Sequence, residues 1–416
     1  MELRNIAIIA HVDHGKTTLV DQLLKQSGTF RENQQVQERA MDSNDQERER
    51  GITILAKATS VEWQGKRINI VDTPGHADFG GEVERILSMV DGVVLLVDAA
   101  ESVMPQTKFV LSKALKLGLK PIVVINKIDR QDARHEEVLE EIFDLFLALE
   151  AADHQLDFPV LYASGRNGWA VNDLNDERAS LTPLFEKIVS YVPPPKVAAL
   201  GTEDHPFTML VTTIQSDPYL GRILTGRIES GVATPNRNIK ALNAAGETLE
   251  RARITKILAF RGLSRTPIER AEAGDIVSIA GLTVATVADT LCDPAVEQPL
   301  QAIPVDPPTI SIQVGVNDSP LAGREGDKVQ SRVIRERLFR EAEGNVAIKV
   351  KESESKDTFE VSGRGELQLG VLIESMRREG FELSISRPRV LFRTDEATGE
   401  RLEPMEEVFV DVDDAY

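Results

Sequence analysis

A glycine, a lysine and a threonine follow one another shortly after an apolar run near the start of the chain. Residues 6–10 suit a strand buried on both faces, and the apolar residues of 17–26 have helical spacing. A loop between such elements turns backbone N–H groups toward an anion, and the helix adds its positive end. Lys16 can then reach the β- and γ-phosphates of a nucleotide, while the Thr17 hydroxyl ligates Mg²⁺. The pattern predicts a triphosphate site formed by Asp13, His14, Gly15, Lys16, Thr17 and Thr18.

This phosphate-loop pattern departs from its usual form at the first position, where the sequence has Ala10 in place of glycine. A small residue is tolerated there only if its φ is negative. The alternative for this segment alone is a buried strand that ends in a glycine turn, with Lys16 solvated. Other parts of the chain must decide between the two interpretations.

An aspartate and a glycine follow the next predicted strand, residues 67–71, which pairs with residues 60–63 as a hairpin. The Asp72 carboxylate and the Gly75 N–H then lie at the edge of the sheet where open α/β folds bind ligands. Asp72 suits a contact with Mg²⁺ through a water, and Gly75 can donate to a γ-phosphate. His76 comes directly after this turn, although a histidine in that position is usually just exposed.

The tetrapeptide Asn126, Lys127, Ile128 and Asp129 ends a further apolar strand at 121–125. A carboxylate there can accept from N1–H and the exocyclic amine of guanine at once, whereas adenine would leave it unpaired, which discriminates by about 10⁴ or more. A surface turn with Asp129 capping a helix is the alternative. After the strand at 158–162, backbone N–H groups of Ser164, Gly165 and Arg166 could meet the guanine O6, which is a weak signal by itself.

The elements that would position these residues alternate between strand and helix. Strands at 92–97 and 121–125 and helices at 106–117 and 136–149 continue the pattern, which predicts a mostly parallel sheet with helices on both faces. Residues 31–56 begin polar and end in an apolar stretch, so we expect a mobile loop that runs into a strand. One α/β domain can satisfy the spacing of all these motifs.

Composition narrows the class of protein. The chain has 416 residues, 41% of them hydrophobic, a net charge of −19 and one cysteine, Cys292. A disulfide framework is excluded and a reducing cytosol is favoured. No apolar run approaches a membrane span, so we expect a cytoplasmic protein without membrane contact, or a plastid one if a transit peptide has been removed. The charge argues against a wholly basic nucleic-acid binder, despite local arginine clusters at 332–340 and 377–389.

Two proline-rich connections, at 193–205 and 303–308, divide the chain. Between them, alternating and β-branched segments with glycine turns predict a small β-barrel. Beyond them, the order βαββαβ predicts a ferredoxin-like α+β fold. The expected domains are 1–196, 203–300 and 305–386, with 387–416, including a strand at 407–411, as the start of a further, truncated domain.

Three segments carry a resemblance to the translational GTPases: residues 11–17, residues 50–54 and residues 72–76. Within that superfamily, the motifs at 41–57, 156–164, 361–367 and 376–383 resemble the BipA (also called TypA) family of ribosome-associated GTPases. The LepA family has a similar sequence motif in the loop at 45–53, so it is the main alternative assignment. Ala10, and Gly165 where relatives more often have alanine, are mild departures.

The resemblance implies roles for several residues. Thr53 would close onto Mg²⁺ only when a γ-phosphate is present, and His76 would orient the attacking water. Val12 and Ile52 would form an apolar gate that holds this histidine away until activation. Ribosomal RNA would be the activator, so that hydrolysis of GTP to GDP is slow without ribosomes. Relatives continue into a further αβ domain and a C-terminal domain that contacts RNA, so we expect ribosome binding by this chain to be weakened if those domains are missing.

The combined expectation is a monomeric GTP hydrolase that switches between GTP and GDP states on the ribosome, in ribosome assembly or stress-responsive translation. One alternative is a GTP-dependent binding module or assembly chaperone whose function is affinity for a partner. Another is a LepA-like elongation factor. A kinase or ATPase conflicts with Asn126 to Asp129, and no acceptor site for a second substrate is evident.

Overall fold

The computed structural model describes residues 2–28, 45–50, 52–74, 76–197, 200–262, 264–303, 306–345, 347–353, 357–395 and 398–405. The chain divides into two compact units. The first comprises Met1–Gly75 and Glu82–Pro304, and the second comprises His76–Gly81 and Val305–Tyr416. Three of the predicted features lie outside the described residues: residues 31–44 of the expected mobile loop, the Gly75 N–H and the strand at 407–411.

A seven-stranded sheet forms the centre of the N-terminal region. Its strands are β1 Leu3–Ala10, β2 Lys57–Trp63, β3 Lys66–Asp72, β4 Gly92–Asp98, β5 Lys120–Asn126, β6 Val160–Ser164 and β7 Trp169–Val171. The spatial order is β2-β3-β1-β4-β5-β6-β7, with the five central strands parallel and the two edge strands antiparallel to their neighbours. The predicted α/β class, with a mostly parallel sheet, is confirmed.

Helices accompany this sheet on both faces. They are α1 Lys16–Gln26, α2 Asp45–Arg50, α3 Gly80–Leu87, α4 Pro105–Lys116, α5 His135–Ala148, α6 Asp153–Leu156 and α7 Thr182–Tyr191. The buried residues of β1 alternate between two apolar clusters: Ile6 and Ile8 face one, and Ala7 and Ile9 face the other. A strand covered on both faces must be apolar throughout, which is why residues 6–10 have no polar member.

The rest of the first unit is rich in strands. They are β8 Thr208–Asp217, β9 Gly221–Ser230, β10 Val232–Ala233, β11 Asn238–Leu242, β12 Thr248–Arg253, β13 Lys256–Arg261, β14 Ser264–Pro267, β15 Ala271–Glu272, β16 Ile276–Ala280 and β17 Thr290–Cys292. Eight form an antiparallel sheet in the order β12-β11-β17-β8-β9-β16-β13-β14, and β10 pairs with β15. The expected β-rich region after the first linker is therefore observed.

In the second unit, two helices pack on an antiparallel sheet. Its elements are β18 Ile310–Val316, α8 Ser331–Gly344, β19 Lys349–Glu352, β20 Thr358–Gly363, α9 Glu366–Arg378, β21 Leu383–Ile385, β22 Arg389–Val390, β23 Arg393–Thr394 and β24 Arg401–Leu402. The order β19-β20-β18-β21 places the first and third strands of the predicted βαββαβ unit at the centre. This is the order of the ferredoxin-like split fold.

Several local elements differ from the predicted ones. Residues 45–50, expected to belong to a loop, form helix α2, and the following strand begins only at Lys57. Helices α3, α6 and α7 and strands β7, β22, β23 and β24 were not predicted. None of the described helices is long and apolar enough to cross a membrane.

Candidate nucleotide site

The parallel register brings the predicted motifs to one edge of the first sheet. Ile8 lies beside Asp72 in β3, and Asp98 lies beside Asn126 in β5. The loop after β1, residues 11–15, therefore emerges near the centre of this edge. Loops at the carboxyl ends of parallel strands are where open α/β sheets bind ligands.

The loop between β1 and α1 is shaped by two residues with positive φ. Asp13 has φ 64°, and Gly15, with φ 96°, is the residue before the first turn of α1. Lys16, Thr17 and Thr18 then form the first turn of the helix. Backbone N–H groups in a first helical turn have no partner within the helix, so this end of α1 can donate to an anion.

The Asn126 side chain joins this loop to the loop after β6. Its Nδ2 donates to the His14 carbonyl at 2.8 Å, and its Oδ1 accepts from the Gly165 N–H at 2.8 Å. Asn126 is 2% exposed. A Cβ at Gly15 would lie 2.5 Å from the Asn126 Nδ2, so both its φ and this close approach require glycine. The phosphate loop and the 164–166 loop are thus fixed to each other.

Lys16 and Asp72 form an ion pair at the same edge. The Lys16 ammonium lies 2.7 Å from the Asp72 Oδ1 and donates to the Thr73 carbonyl at 2.6 Å. Both side chains are largely buried, and the Thr73 hydroxyl in turn donates to the carbonyl of Ile8. The Lys16 ammonium, which can attract phosphate, therefore lies next to the Asp72 carboxylate, which can attract a divalent cation. Thr17 follows Lys16 directly in the chain.

These groups fit Mg²⁺, which favours oxygen ligands and is usually held by one or two protein groups together with substrate phosphates and water. The Thr17 hydroxyl follows Lys16 directly, and the Asp72 carboxylate lies beside that lysine. Among the described residues, no group of three or more histidine, cysteine, aspartate or glutamate side chains could hold a metal ion. The donor set at this edge suits a cation that arrives with its nucleotide.

The segment that carries Thr53 is held by a buried carboxylate of α2. Glu47 accepts from the N–H groups of Ile54 and Leu55 at 3.0 and 3.1 Å, and pairs with Lys57 at 2.5 Å. Thr53 itself is buried. Sequence reasoning missed Glu47 because α2 has no apolar periodicity, and its support comes from these tertiary hydrogen bonds.

At the predicted base-binding end, the Asp129 carboxylate is exposed and has a neighbour that sequence reasoning did not name. The Asn167 Nδ2 donates to Asp129 Oδ2 at 3.2 Å and to the Ser164 hydroxyl at 2.9 Å. Ser164 is buried, Arg166 is exposed, and the Ile128 N–H donates to the carbonyl of Ala163. The loop after β5 and the loop after β6 are therefore linked here as well.

Lys127 has the left-handed backbone conformation, with φ 59°, which is uncommon for residues other than glycine. Its ammonium pairs with the buried Asp98 carboxylate at 2.7 Å. Burial opposes ionisation of Asp98, but the Lys127 hydrogen bond and the N–H groups of Ala100 and Glu101 outweigh it and lower the pKa of this carboxyl. An anionic Asp98 therefore holds Lys127 beside the predicted base site.

His14 is a buried member of the phosphate loop. Burial, with a contribution from His11, lowers its pKa to about 4, so the ring is neutral at physiological pH. Its Nδ1 accepts from the N–H of Asp98 at 3.3 Å. The ring therefore connects the phosphate loop to the end of β4.

His76 belongs to the second unit, where it lies at the start of a 3₁₀ turn, Ala77–Phe79. Its Nδ1 is 3.2 Å from the Asp78 Oδ1, and the ring is about one-third exposed. Val12 and Ile52, predicted to gate this histidine, are both half-buried within the first unit. The assignments of these three residues stay predictions.

Comparisons with known proteins identify two sequence families within the chain. Residues 1–194 match the elongation factor Tu GTP binding domain, and residues 206–294 match elongation factor G domain 2. Among curated proteins, "Large ribosomal subunit assembly factor BipA" of Escherichia coli K12 is 54% identical over 415 residues, which is 100% of this chain and 67% of that protein. The proteins of the same name from Haemophilus influenzae and Buchnera aphidicola are 54% and 52% identical. They also match 100% of this chain, and the chain covers 66% and 67% of them respectively.

A solved structure shows the same fold at low sequence identity. The crystal structure of a protein from Thermus thermophilus is similar with a TM-score of 0.69 and 21% identity. The similarity covers 94% of this chain and 68% of that one.

Proposed function

This chain is a GTPase of the BipA family of translational GTPases, and we propose that its GTP/GDP cycle serves the assembly of the large ribosomal subunit. The printed name of its bacterial relatives gives that role to them. A LepA-like function finds no support among the relatives described above. The bacterial relatives favour action in the cytoplasm, with the ribosome and its RNA as the partner. We further propose that the chain acts as a monomer.

The observation that carries the proposal is the Asn126 clamp. One buried amide bonds to both the phosphate loop and the loop after β6, at 2.8 Å each. A nucleotide whose phosphates lie on α1 and whose base lies at Asp129 would contact both loops at once. Because the clamp fixes their separation, one nucleotide can hold its base and its phosphates on the two loops together.

Guanine is the base that fits this site. The Asp129 carboxylate can accept from the two adjacent donors of guanine, and Ser164 and Arg166 offer backbone N–H groups to its O6. The Gly165 N–H, also predicted for this contact, instead donates to Asn126 Oδ1 and positions the loop. Adenine presents an acceptor at N1, where it would face the carboxylate. The nucleotide at this site is therefore GTP or GDP.

For the phosphate end, we assign Mg²⁺ to the hydroxyls of Thr17 and Thr53, with Asp72 acting through water. When bound, the metal would neutralise charge that develops between the β- and γ-phosphates. Lys16 and the first-turn N–H groups of α1 would hold the phosphates, with Gly75 donating to the γ-phosphate. His76 would orient the attacking water once Val12 and Ile52 release it.

The test is GTP hydrolysis by this 416-residue chain with and without large ribosomal subunits, with ATP as a control nucleotide. We expect stimulation that is confined to GTP. Tight GTP binding without any stimulated hydrolysis would instead support a binding module whose function is affinity for its partner.

His76→Ala should abolish stimulated hydrolysis and leave GTP affinity within about twofold, because a water-orienting group acts in the transition state. His154→Ala is the matched control, since His154 is an exposed histidine on the short helix α6. Stimulated hydrolysis that survives in His76→Ala would remove His76 from its proposed role.

A further inference from the structure

Helix α9 of the second unit begins without a capping side chain of its own. The residue in the N-cap position is Gly365, and no side chain near it in sequence accepts from the first-turn N–H groups. Uncapped N–H groups at a helix start are costly when they are shielded from water. Some other group must accept from them.

That group is Asp78, which lies far from α9 in sequence and within the same unit. Its Oδ2 accepts from the N–H of Leu367 at 2.8 Å and of Gln368 at 3.3 Å. These are the second and third residues of the helix, whose N–H groups an N-cap side chain normally satisfies. Asp78 is therefore the N-cap of α9, supplied from the segment that carries His76.

The absence of a side chain at Gly365 is what admits this carboxylate. A Cβ built at Gly365 would overlap all three atoms of the Asp78 carboxylate group. The backbone there is extended, with φ −159°, so any residue could adopt it and only the close approach requires glycine. Gly365 and Asp78 are thus a matched pair.

The other oxygen of the same carboxylate faces the imidazole of His76. The backbone N–H of Asp78 donates to His76 Nδ1 at 3.2 Å, and Asp78 Oδ1 lies 3.2 Å from the same nitrogen. Asp78 therefore holds the Nδ1 edge of the ring through both its backbone and its side chain, so the Nε2 edge points away from Asp78. The Nε2 edge is the one that can contact a water that His76 orients.

The charge on Asp78 is supported by its surroundings. Burial opposes ionisation, but the neighbouring His76 side chain and the N–H groups of Gln368 and Leu367 together lower the pKa of Asp78. The helix N-terminus adds a partial positive charge. One anion therefore serves the helix and the histidine together.

We infer that Asp78 is a positioning residue for His76, and that the start of helix α9 sets where its carboxylate lies. This inference rests on the role proposed above for His76. Any displacement of α9 away from the 76–81 segment would remove two donors from Asp78 and alter the acceptor that His76 faces. Helix α9 thereby acts on His76 through the Asp78 carboxylate.

Two variants test this. Gly365→Ala should push Asp78 off the helix and lower the kcat of stimulated GTP hydrolysis about tenfold, with KM and GTP affinity within about twofold, since positioning groups act in the transition state. Asp78→Asn keeps an acceptor for the helix, because asparagine caps as well as aspartate does. It removes the negative charge beside His76 Nδ1, however, so kcat should fall by about 10- to 100-fold while the melting temperature stays near that of the wild type.

Gly370→Ala is the matched control, because Gly370 lies in the same helix and an added Cβ there meets nothing within 4 Å. It should retain the wild-type kcat. The double variant Gly365→Ala with His76→Ala should hydrolyse GTP no more slowly than His76→Ala alone, since the effect of Gly365 passes through the histidine.

The outcomes separate this inference from the proposed function. Wild-type kcat in both Gly365→Ala and Asp78→Asn, with His76→Ala inactive, would overturn the inference and leave the proposed role of His76 intact. Stimulated hydrolysis in His76→Ala would overturn both. A lower melting temperature with an unchanged kcat in Gly365→Ala would show that Asp78 only caps the helix.

Discussion

The clamp formed by Asn126 predicts a large effect from a nearly isosteric change, Asn126→Asp. The substitution retains an acceptor for the Gly165 N–H and removes the donor that reaches the His14 carbonyl at 2.8 Å. The variant therefore separates the two bonds of the clamp, and it does so at a site that is 2% exposed.

The size of the effect follows from the lost bond and the group left behind. A net hydrogen bond contributes about 1 kcal/mol, and a buried acceptor without a partner costs about 1–3 kcal/mol. The His14 carbonyl would also face a carboxylate. Together these costs are about 2–4 kcal/mol. If GTP binding must supply this free energy to order the phosphate loop, GTP affinity should drop by roughly 30- to 700-fold.

Fluorescent GTP-analogue binding measures this directly. Asn69→Asp is the matched control, since Asn69 is also a buried asparagine of the same sheet whose Nδ2 donates at 2.8 Å, in its case to Asn5. It should lower the melting temperature without weakening GTP binding. GTP affinity of Asn126→Asp within threefold of the wild type would refute the clamp as the link between the two loops.

Three further predictions concern the backbone, the base and pH. Gly15→Ala should weaken GTP binding at least tenfold. Gly118 has a similar positive φ but open space around an added Cβ, so Gly118→Ala should bind GTP normally and lose only about 1–2 kcal/mol of stability. Equal GTP affinity in the two variants would contradict the steric argument. Asp129→Asn should change the nucleotide preference from guanine to xanthine in competition binding, because an amide can donate to the xanthine 2-carbonyl. An unchanged preference would show that Asp129 does not recognise the base. Burial, opposed by Arg227, raises the pKa of Asp91 to about 6, so its contribution to stability is complete below about pH 4 and is lost as the pH rises through 6. The difference in unfolding free energy between Asp91→Asn and the wild type should therefore shift by about 3 kcal/mol in favour of the variant between pH 4 and 7, and a pH-independent difference would show that the Asp91 carboxyl is not perturbed.

Sequence reasoning succeeded where local pattern and fold geometry agree. The apolar runs at 6–10, 92–97 and 121–125 are long enough to be buried strands, and parallel strands bring their carboxyl ends to one edge. The class of the first domain, and the placement of its motifs at that edge, followed from this. Helix α7 also has a local signal in the sequence, because its buried residues Leu184, Phe185 and Ile188 have helical spacing.

Other features could not be read from sequence because their stability comes from distant partners. Helix α2 has the sequence DQERER, which has no apolar face, and the buried carboxylate of Glu47 reaches N–H groups seven and eight residues on. The Asn167 contact with Asp129 joins two loops 38 residues apart. Asp78 caps a helix that begins 289 residues later in the chain, and the sequence around neither segment predicts this contact.

The side chains of Glu47, Asn126 and Asp78 all accept hydrogen bonds from backbone N–H groups of another segment. Each of them also contacts a region that is predicted to touch the nucleotide or the attacking water. A change of about 1–2 kcal/mol in one such bond alters the ratio between two positions of a segment about 5- to 30-fold. These polar bonds are therefore contacts at which a bound nucleotide, or a partner of helix α9, would change the positions of the segments that they hold.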